Sequence, residues 1–299
     1  MKRILFIIIV SLFLSDISHA AGSGAEFLKI DTDARAVSMG SAFTAVAAGV
    51  NSIAYNPAGL ASARGVELGF SHTNWIMDSK HDFFGIAMPA GRSAGLVIGL
   101  GLVRLSNSGL DGRNDDGSAG GGFSSYDQAV SINMAKTMGK TGVGIGVKYI
   151  ESAIAGIKAN AAAVDLGVSR KLSRLPVSLG LSVQNLGTPM KYISQNDPLP
   201  LTFSAGLLVG IIPGFNVALD VKRLVYDKET TISAGTEYAV LSNLSLRTGY
   251  LMDNGITCAK NKGFSLGGGI NLWNMQLDYA LTPYGELGNA QKISFKKRF

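Results

Sequence analysis

The feature that most constrains this chain is an alternation of period two that returns along most of its length. Val143, Ile145, Val147 and Tyr149 are separated by glycines and Lys148, and Val177, Leu179, Leu181 and Val183 by Ser178, Gly180 and Ser182. Phe215, Val217, Leu219 and Val221 repeat the pattern against Asn216, Ala218 and Asp220, as do Met275, Leu277, Tyr279 and Leu281 against Gln276, Asp278 and Ala280. Successive side chains of a strand point to opposite faces, so each segment carries one apolar face and one small or polar face. Strands of a parallel sheet covered on both sides would be apolar throughout.

Alternation bounded by turn residues predicts about fourteen strands, over residues 66–72, 82–89, 94–105, 124–135, 141–150, 160–171, 176–185, 200–209, 214–223, 229–238, 243–251, 263–271, 274–282 and 290–299. Most are near the roughly 9 to 11 residues of a tilted membrane-spanning strand, against about 5 to 6 in soluble sheets. Hydrophobic residues make up 46% of the 299 residues and charged ones 16%, yet past the first twenty residues no apolar run is long enough for a spanning helix. An unpaired backbone group in hydrocarbon costs several kcal/mol, so a chain of this kind crosses a bilayer only as a closed barrel. The expected fold is all-β, a transmembrane antiparallel barrel of about fourteen strands with the apolar set facing lipid and the Gly, Ser, Asn, Gln, Asp and Lys set facing the lumen. The connections sort by length: Thr73–His81, Ser106–Phe123 and Leu186–Leu199 are long, Ala90–Ser93, Lys136–Lys140 and Gly210–Pro213 short. Long external loops and short periplasmic turns are the habit of outer-membrane barrels, which places the first strand rising from the periplasm and the C-terminus in it. Trp273 and Trp75 suit the interfacial aromatic girdles.

The N-terminus fits this destination. Lys2 and Arg3, an apolar stretch from Ile4 to Leu14 and Ser18-His19-Ala20 make a secretory signal peptide over residues 1–20, cut near Ala20. Cys258 is the single cysteine, so no disulfide framework stabilises the exported chain. A pI near 9.3 would admit nucleic acid, but the cations are scattered and export removes the chain from it. Domain organisation is thus a signal peptide, a segment over 21–65 and a barrel over 66–299 in the outer membrane of a Gram-negative-type bacterium.

Residues 33–63 have another character. The small-residue run from Ser41 to Val50 has helical propensity, and Asn56-Pro57-Ala58-Gly59 breaks it, because Pro57 lacks an N–H and pushes Asn56 to extended backbone. A compact, nearly uncharged unit ahead of a barrel can fold into its lumen as a plug. The stretches Ala34-Arg35-Ala36 through Met39-Gly40, Ala42-Phe43-Thr44-Ala45-Val46 and Tyr55-Asn56-Pro57-Ala58-Gly59-Leu60-Ala61 resemble the N-terminal signature of the PorV/PorQ family, relatives of the FadL-type transporters. Ser71-His72-Thr73-Asn74-Trp75 with Phe83-Phe84-Gly85, and Leu277-Asp278-Tyr279-Ala280 with Pro283-Tyr284-Gly285, resemble that family's first and last hairpins. The resemblance implies a fourteen-stranded barrel with an N-terminal hatch, whose motif falls here on Arg35, Met39, Gly40, Asn56, Pro57, Ala58 and Gly59. It implies gated passage of a hydrophobic small molecule, or, in a PorV-like role, capture of exported protein cargo at the cell surface. The sequence departs from the wider family at Ala48-Gly49, where acidic residues commonly precede the motif.

Other sites are few. Arg35 and Asn56 are candidates for polar contacts between hatch and wall, Arg35 alternatively capping a helix. Asp111, Asn114, Asp115 and Asp116 lack the spacing and terminal Glu of an EF-hand loop and read as a solvated loop. His72 and His81, at the outer end of the first hairpin, would be the histidines of an outer-membrane lipase; without a nucleophile motif they read as interfacial or loop residues. Gly267-Gly268-Gly269 falls within a strand, where it permits close packing or curvature. No enzyme, cofactor or metal is expected. The expected partners are outer-membrane lipid, the barrel-assembly machinery through a C-terminal signal at Phe295 and Phe299, and either a hydrophobic ligand or secreted cargo. An apolar tunnel behind the hatch would favour the first, and an apolar patch around Met190 to Leu201 the second.

Overall fold

A computed structural model describes residues 22–91, 95–113, 116–253, 263–285 and 288–299. The signal peptide, Asn114, Asp115 and Cys258 lie outside the described residues. Fourteen long strands form one closed antiparallel barrel: β1 (Glu67–Asn74), β2 (Lys80–Ala90), β3 (Leu96–Arg113), β4 (Ala119–Met138), β5 (Thr141–Ile154), β6 (Ile157–Lys171), β7 (Val177–Gly187), β8 (Thr202–Ile212), β9 (Phe215–Leu224), β10 (Glu229–Leu241), β11 (Leu244–Asp253), β12 (Phe264–Leu272), β13 (Met275–Pro283) and β14 (Asn289–Arg298). Each strand pairs with its neighbours in sequence, and β14 returns to β1 in a register running from Glu67 opposite Arg298 to Asn74 opposite Gln291. Closure leaves no edge among these strands, as hydrocarbon requires.

The alternation falls on the two faces as the sequence dictates. Ile145, Val147, Tyr149, Leu179, Leu181, Leu219, Leu277 and Tyr279 lie on the exterior, half exposed, while Lys148, Ser182, Asp220 and Asp278 between them are buried inside. An apolar exterior over a polar interior is the surface of a barrel whose outside solvent is lipid. Ile293 and Phe295 continue that exterior on β14.

The connections divide the barrel into a turn end and a loop end. Four turn-end connections, at 139–140, 213–214, 242–243 and 273–274, have two residues. At the last, Trp273 and Asn274 both take positive φ, the conformation whose twist matches a hairpin's; Trp273 is 83% exposed there. The expected long loop from Ser106 to Phe123 is corrected: β3 runs to Arg113 and β4 starts at Ala119, with bulges near Asn107 and Gly112. That hairpin rises past the apolar band, where both faces are polar and no alternation marks a strand. The connection at 155–156 is also a two-residue turn although it lies at the loop end, so the sorting by length is a tendency.

A charge on the lipid face is costly near mid-bilayer, about 2–4 kcal/mol, and costs about 0–1 near an interface. Val147→Arg, in the middle of the exterior of β5, is therefore expected to cut the fraction of heat-modifiable, folded barrel sharply. A matching Lys297→Arg change at the turn end should leave it unaltered.

Candidate functional site

Residues 22–65 pack against the lumen side of the wall. The segment has a short helix over Ala34–Ser38 and 3-10 turns over Glu26–Lys29, Gly49–Ala54 and Pro57–Ser62. The helix expected from Ser41 to Val50 does not form; short helical turns flank that run instead. In its place the Asp220 carboxylate of β9 accepts the backbone N–H groups of Phe43 and Thr44 at 3.0 and 2.7 Å, and Gly40 and Ser41, at the start of the run, both take positive φ outside the right-handed helical region. Asn56 is extended and accepts the N–H of Ala58, with Pro57 at the first position of the last 3-10 turn, so the break comes where Pro57 demands it.

Small wall residues make room for the segment. A Cβ at Gly144 of β5 would sit 2.4 Å from the Pro57 carbonyl carbon, one at Gly235 of β10 2.4 Å from the Met39 oxygen, and one at Gly249 of β11 2.0 Å from the Gly40 nitrogen. Gly85, Gly167 and Gly180, on β2, β6 and β7, are closed in the same way by Val50, Asn56 and Thr44. These glycines lie on strands distributed around the barrel, so the segment is seated in a ring of backbone. Gly40 itself has φ of 61° and lies against the backbone of Tyr250, a position that any side chain would strain. Gly59 is closed by the Ala47 carbonyl. Gly267 and Gly269 abut Ser38 and the Asp278–Arg247 pair, which is close packing.

Polar groups fix the rotation of the segment in that ring. Arg35 makes a bidentate pair with Glu237 of β10, both bonds 2.7 Å. Glu237 also takes Arg247 of β11 at 2.6 Å, and Arg247 reaches Asp278 of β13 at 2.6 Å. Two guanidiniums and two carboxylates make a neutral chain, and removing one member of such a buried set costs about 3–5 kcal/mol. Asn56 donates to Thr44 O and, at 3.3 Å, to Val168 O of β6. Where the sequence has Ala48-Gly49 instead of an acid, Glu67 of β1 enters from the wall and accepts the Val50 N–H at 2.9 Å. Ala34 N–H donates to Ser294, Gly40 N–H to Ser265, and Gln184 donates to Ala54 O.

The start of the segment is tied to the loop end. Gly24 N–H donates to Pro198 O, and Ser23 and Lys29 both bind Asp227, in the connection between β9 and β10. Burial alone would push the Asp227 carboxyl up, but the Ser23 N–H and hydroxyl and the Lys29 ammonium hold it below its ordinary value. Phe27 packs with Met190 and Leu199 of the 188–201 connection, both fully buried, and Tyr192 donates to Ser152. The patch sought around Met190 to Leu201 is thus folded onto the segment, with Ile193 its one large exposed apolar side chain.

Two cavities remain on the loop side. The larger, about 790 Å³, is lined by Phe27, Ile30, Val37, Trp75, Leu251 and Tyr284 among others, with Asp31 and the buried Lys292. The smaller, about 200 Å³, reaches Val103, Lys148 and Gln184. Phe27, Lys29, Ile30, Asp31, Ser41 and Leu251 line both. The stretch from Phe27 to Asp31 therefore partitions the space, held where Lys292 donates to Asp31 O and Ser71 to Thr32 O. A volume of this size suits a small ligand; sites of about 300–1,000 Å³ are usual.

Two expectations are corrected, for Trp75 and for His81. Trp75 stacks edge-on with Tyr284 at 5.2 Å and lines the larger cavity instead of an external girdle. His72 lies on the exterior, its Nδ1 2.6 Å from Asp82, whereas His81 is wholly buried on the lumen side with neither ring nitrogen partnered. Opposite faces of the wall cannot build one catalytic site from the two histidines. Asp116 is engaged with the Ser118 N–H and hydroxyl, and the described residues hold no cluster of metal-ligating type.

Substitutions that fill the ring should expel the segment while the barrel stands. Gly144→Val and Gly235→Val are expected to open the chain after Arg35 to trypsin with heat-modifiable migration retained, and Gly268→Ala, on the exterior, to protect it as the native chain does. Acid should release the other end. A depressed Asp227 holds the tie above the unfolded carboxyl value, about 3.9, and loses it as pH falls through a still lower one. A spin label on Gly22→Cys, in a Cys258→Ser background, should stay immobile at pH 5 and above, roughly one unit over that value, and gain mobility only as pH drops below it.

Comparison with known proteins follows this geometry. The chain is similar over residues 18–148 to an uncharacterised protein family, UPF0164. No curated protein matches it. Among solved structures it is similar to the CymD monoaromatic hydrocarbon channel, at 14% identity over 90% of this chain and 97% of that one, with a TM-score of 0.64. The toluene transporter TodX of P. putida is alike at 14% identity, 90% and 99% coverage and 0.63, and a Pseudomonas aeruginosa FadL homologue at 9%, 92%, 99% and 0.60. At such identities the likeness is one of fold: the chain has the architecture of the FadL-like hydrocarbon channels.

Proposed function

We propose that the protein is a non-enzymatic outer-membrane barrel that passes a hydrophobic small molecule, with residues 21–65 as the hatch and 66–299 as the barrel. The observation that carries the reading is the 790 Å³ cavity at the loop end, where aromatic and aliphatic side chains stand beside Glu26, Lys29, Asp31 and Lys292, and which shares Phe27, Lys29, Ile30, Asp31, Ser41 and Leu251 with a second cavity. In this reading the loop end is external and the turn end periplasmic, the chain arrives by signal-peptide export, and Phe295 and Phe299 serve as the signal to the assembly machinery. The likeness to CymD, a monoaromatic hydrocarbon channel, and to TodX, a toluene transporter, supports the substrate class, and the Asn56-Pro57-Ala58-Gly59 motif supports kinship with PorV/PorQ proteins. The glycine ring argues that the main body of the hatch stays seated. Movement of Phe27–Asp31, the thin partition, is the smaller change that would join the cavities. The buried state of Met190 and Leu199 leaves the cargo-binding alternative without its expected surface.

Leu251 lines both cavities, so Leu251→Trp should obstruct them. Uptake of toluene into vesicles carrying the purified protein is expected to fall at least tenfold in this variant, with heat-modifiable migration unchanged. Uptake at the native rate would refute passage by this route.

A further inference from the structure

The two ends of the barrel differ in charge in a way that transport does not use. At the turn end, Lys136, Lys140, Arg170, Lys171 and Arg174 are clustered on the last residues of β4 and β6 and the connections beside them, all exposed. Among the described residues none of the five is in an ion pair. Across the barrel seam Lys297 and Arg298 continue the same sign. At the loop end several exterior groups have partners, since His72 Nδ1 lies 2.6 Å from Asp82, Lys158 meets Glu151 at 3.6 Å and Arg104 lies over the Tyr126 ring at 4.9 Å, while Lys80 is in no ion pair among the described residues.

Lys136 and Arg170 follow the lipid-facing Met134 and Val168 on the same outward face of their strands, two residues further toward the turn end. Met138 and Leu175, 62% and 60% exposed, are interleaved with the cations. Apolar side chains at that level reach the acyl boundary, while long basic side chains extend to the phosphates beyond it. A partner protein bearing only acids would leave Met138 and Leu175 unmatched. We propose that this basic collar binds the phosphates of anionic phospholipid in the leaflet at the turn end. The inference rests on the membrane-spanning reading of the barrel and, for the leaflet being periplasmic, on the orientation given above.

Each cation close to an anionic membrane surface contributes on the order of fivefold in binding. The test places the full mature chain in nanodiscs of mixed phosphatidylcholine and phosphatidylglycerol and measures by native mass spectrometry which lipid stays bound on release. Phosphatidylglycerol is expected to be enriched on the native chain. The variant K136Q/K140Q/R170Q/K171Q/R174Q should lose at least about tenfold of that enrichment, given the fivefold contribution of each cation, and K80Q/R104Q/K158Q, at the other end, should keep it. No enrichment on the native chain, or equal enrichment in the two variants, overturns the proposal. Heat-modifiable migration of the same samples tests the barrel reading separately, since an unfolded variant shows itself there.

Discussion

Everything in this structure follows from the cost of an unpaired backbone group in hydrocarbon. It forces the sheet to close, and closing fourteen strands makes a lumen wider than their own side chains fill. The chain answers by setting small residues on the inner face and a separate stretch of itself against them. Because that stretch is not a regular helix, its own N–H groups need partners, and the wall supplies carboxylates and hydroxyls at the heights where they emerge. The polar inner face is thus less a water channel than a set of hydrogen-bonding partners for residues 22–65.

Charge is handled in the same way. Arg35, Glu237, Arg247 and Asp278 come from four separate elements and sum to neutrality, and Lys148, Asp165 and Asn185 form a second buried group at the bulge of β7. Such sets give little net stability against well-packed apolar residues, but they punish misplacement severely. A segment rotated by one residue would strand Glu237 with one cation and leave Asp220 without the donors of Phe43 and Thr44. The ions fix position where the glycine ring gives room.

The strands were legible because a lipid-facing wall leaves no freedom in its pattern: residues such as Ile145, Val147 and Tyr149 must alternate, and turn residues must bound them. The upper parts of β3 and β4 were not, since above the apolar band Ser106 to Phe123 has no solvent contrast between its faces. The partner of Arg35 is 202 residues away, and nothing local in Glu237 distinguishes it from other inward polar residues. His81 looked like a loop residue for the same reason: its burial depends on what the segment places beside it. The Ala-rich run from Ser41 misled because intrinsic propensity is weak against hydrogen bonds offered by a surrounding wall. Within residues 22–65, the positions of Gly40, Pro57 and Gly59 could be sensed as backbone exceptions, but the surfaces they meet could not.

The two ends of residues 22–65 lie at opposite ends of the barrel. Gly24 is bonded beside Pro198 at the loop end, while Val66 accepts the N–H of Phe299 at the turn end, where β14 meets β1. The segment is therefore an axle and the sheet a wheel rim assembled around it. Once the seam between β1 and β14 has zipped, the axle passes in or out only by threading its N-terminal side along the lumen. A segment set in place before, or as, the seam closes is spared that passage, and a barrel that closes early has to admit it end first.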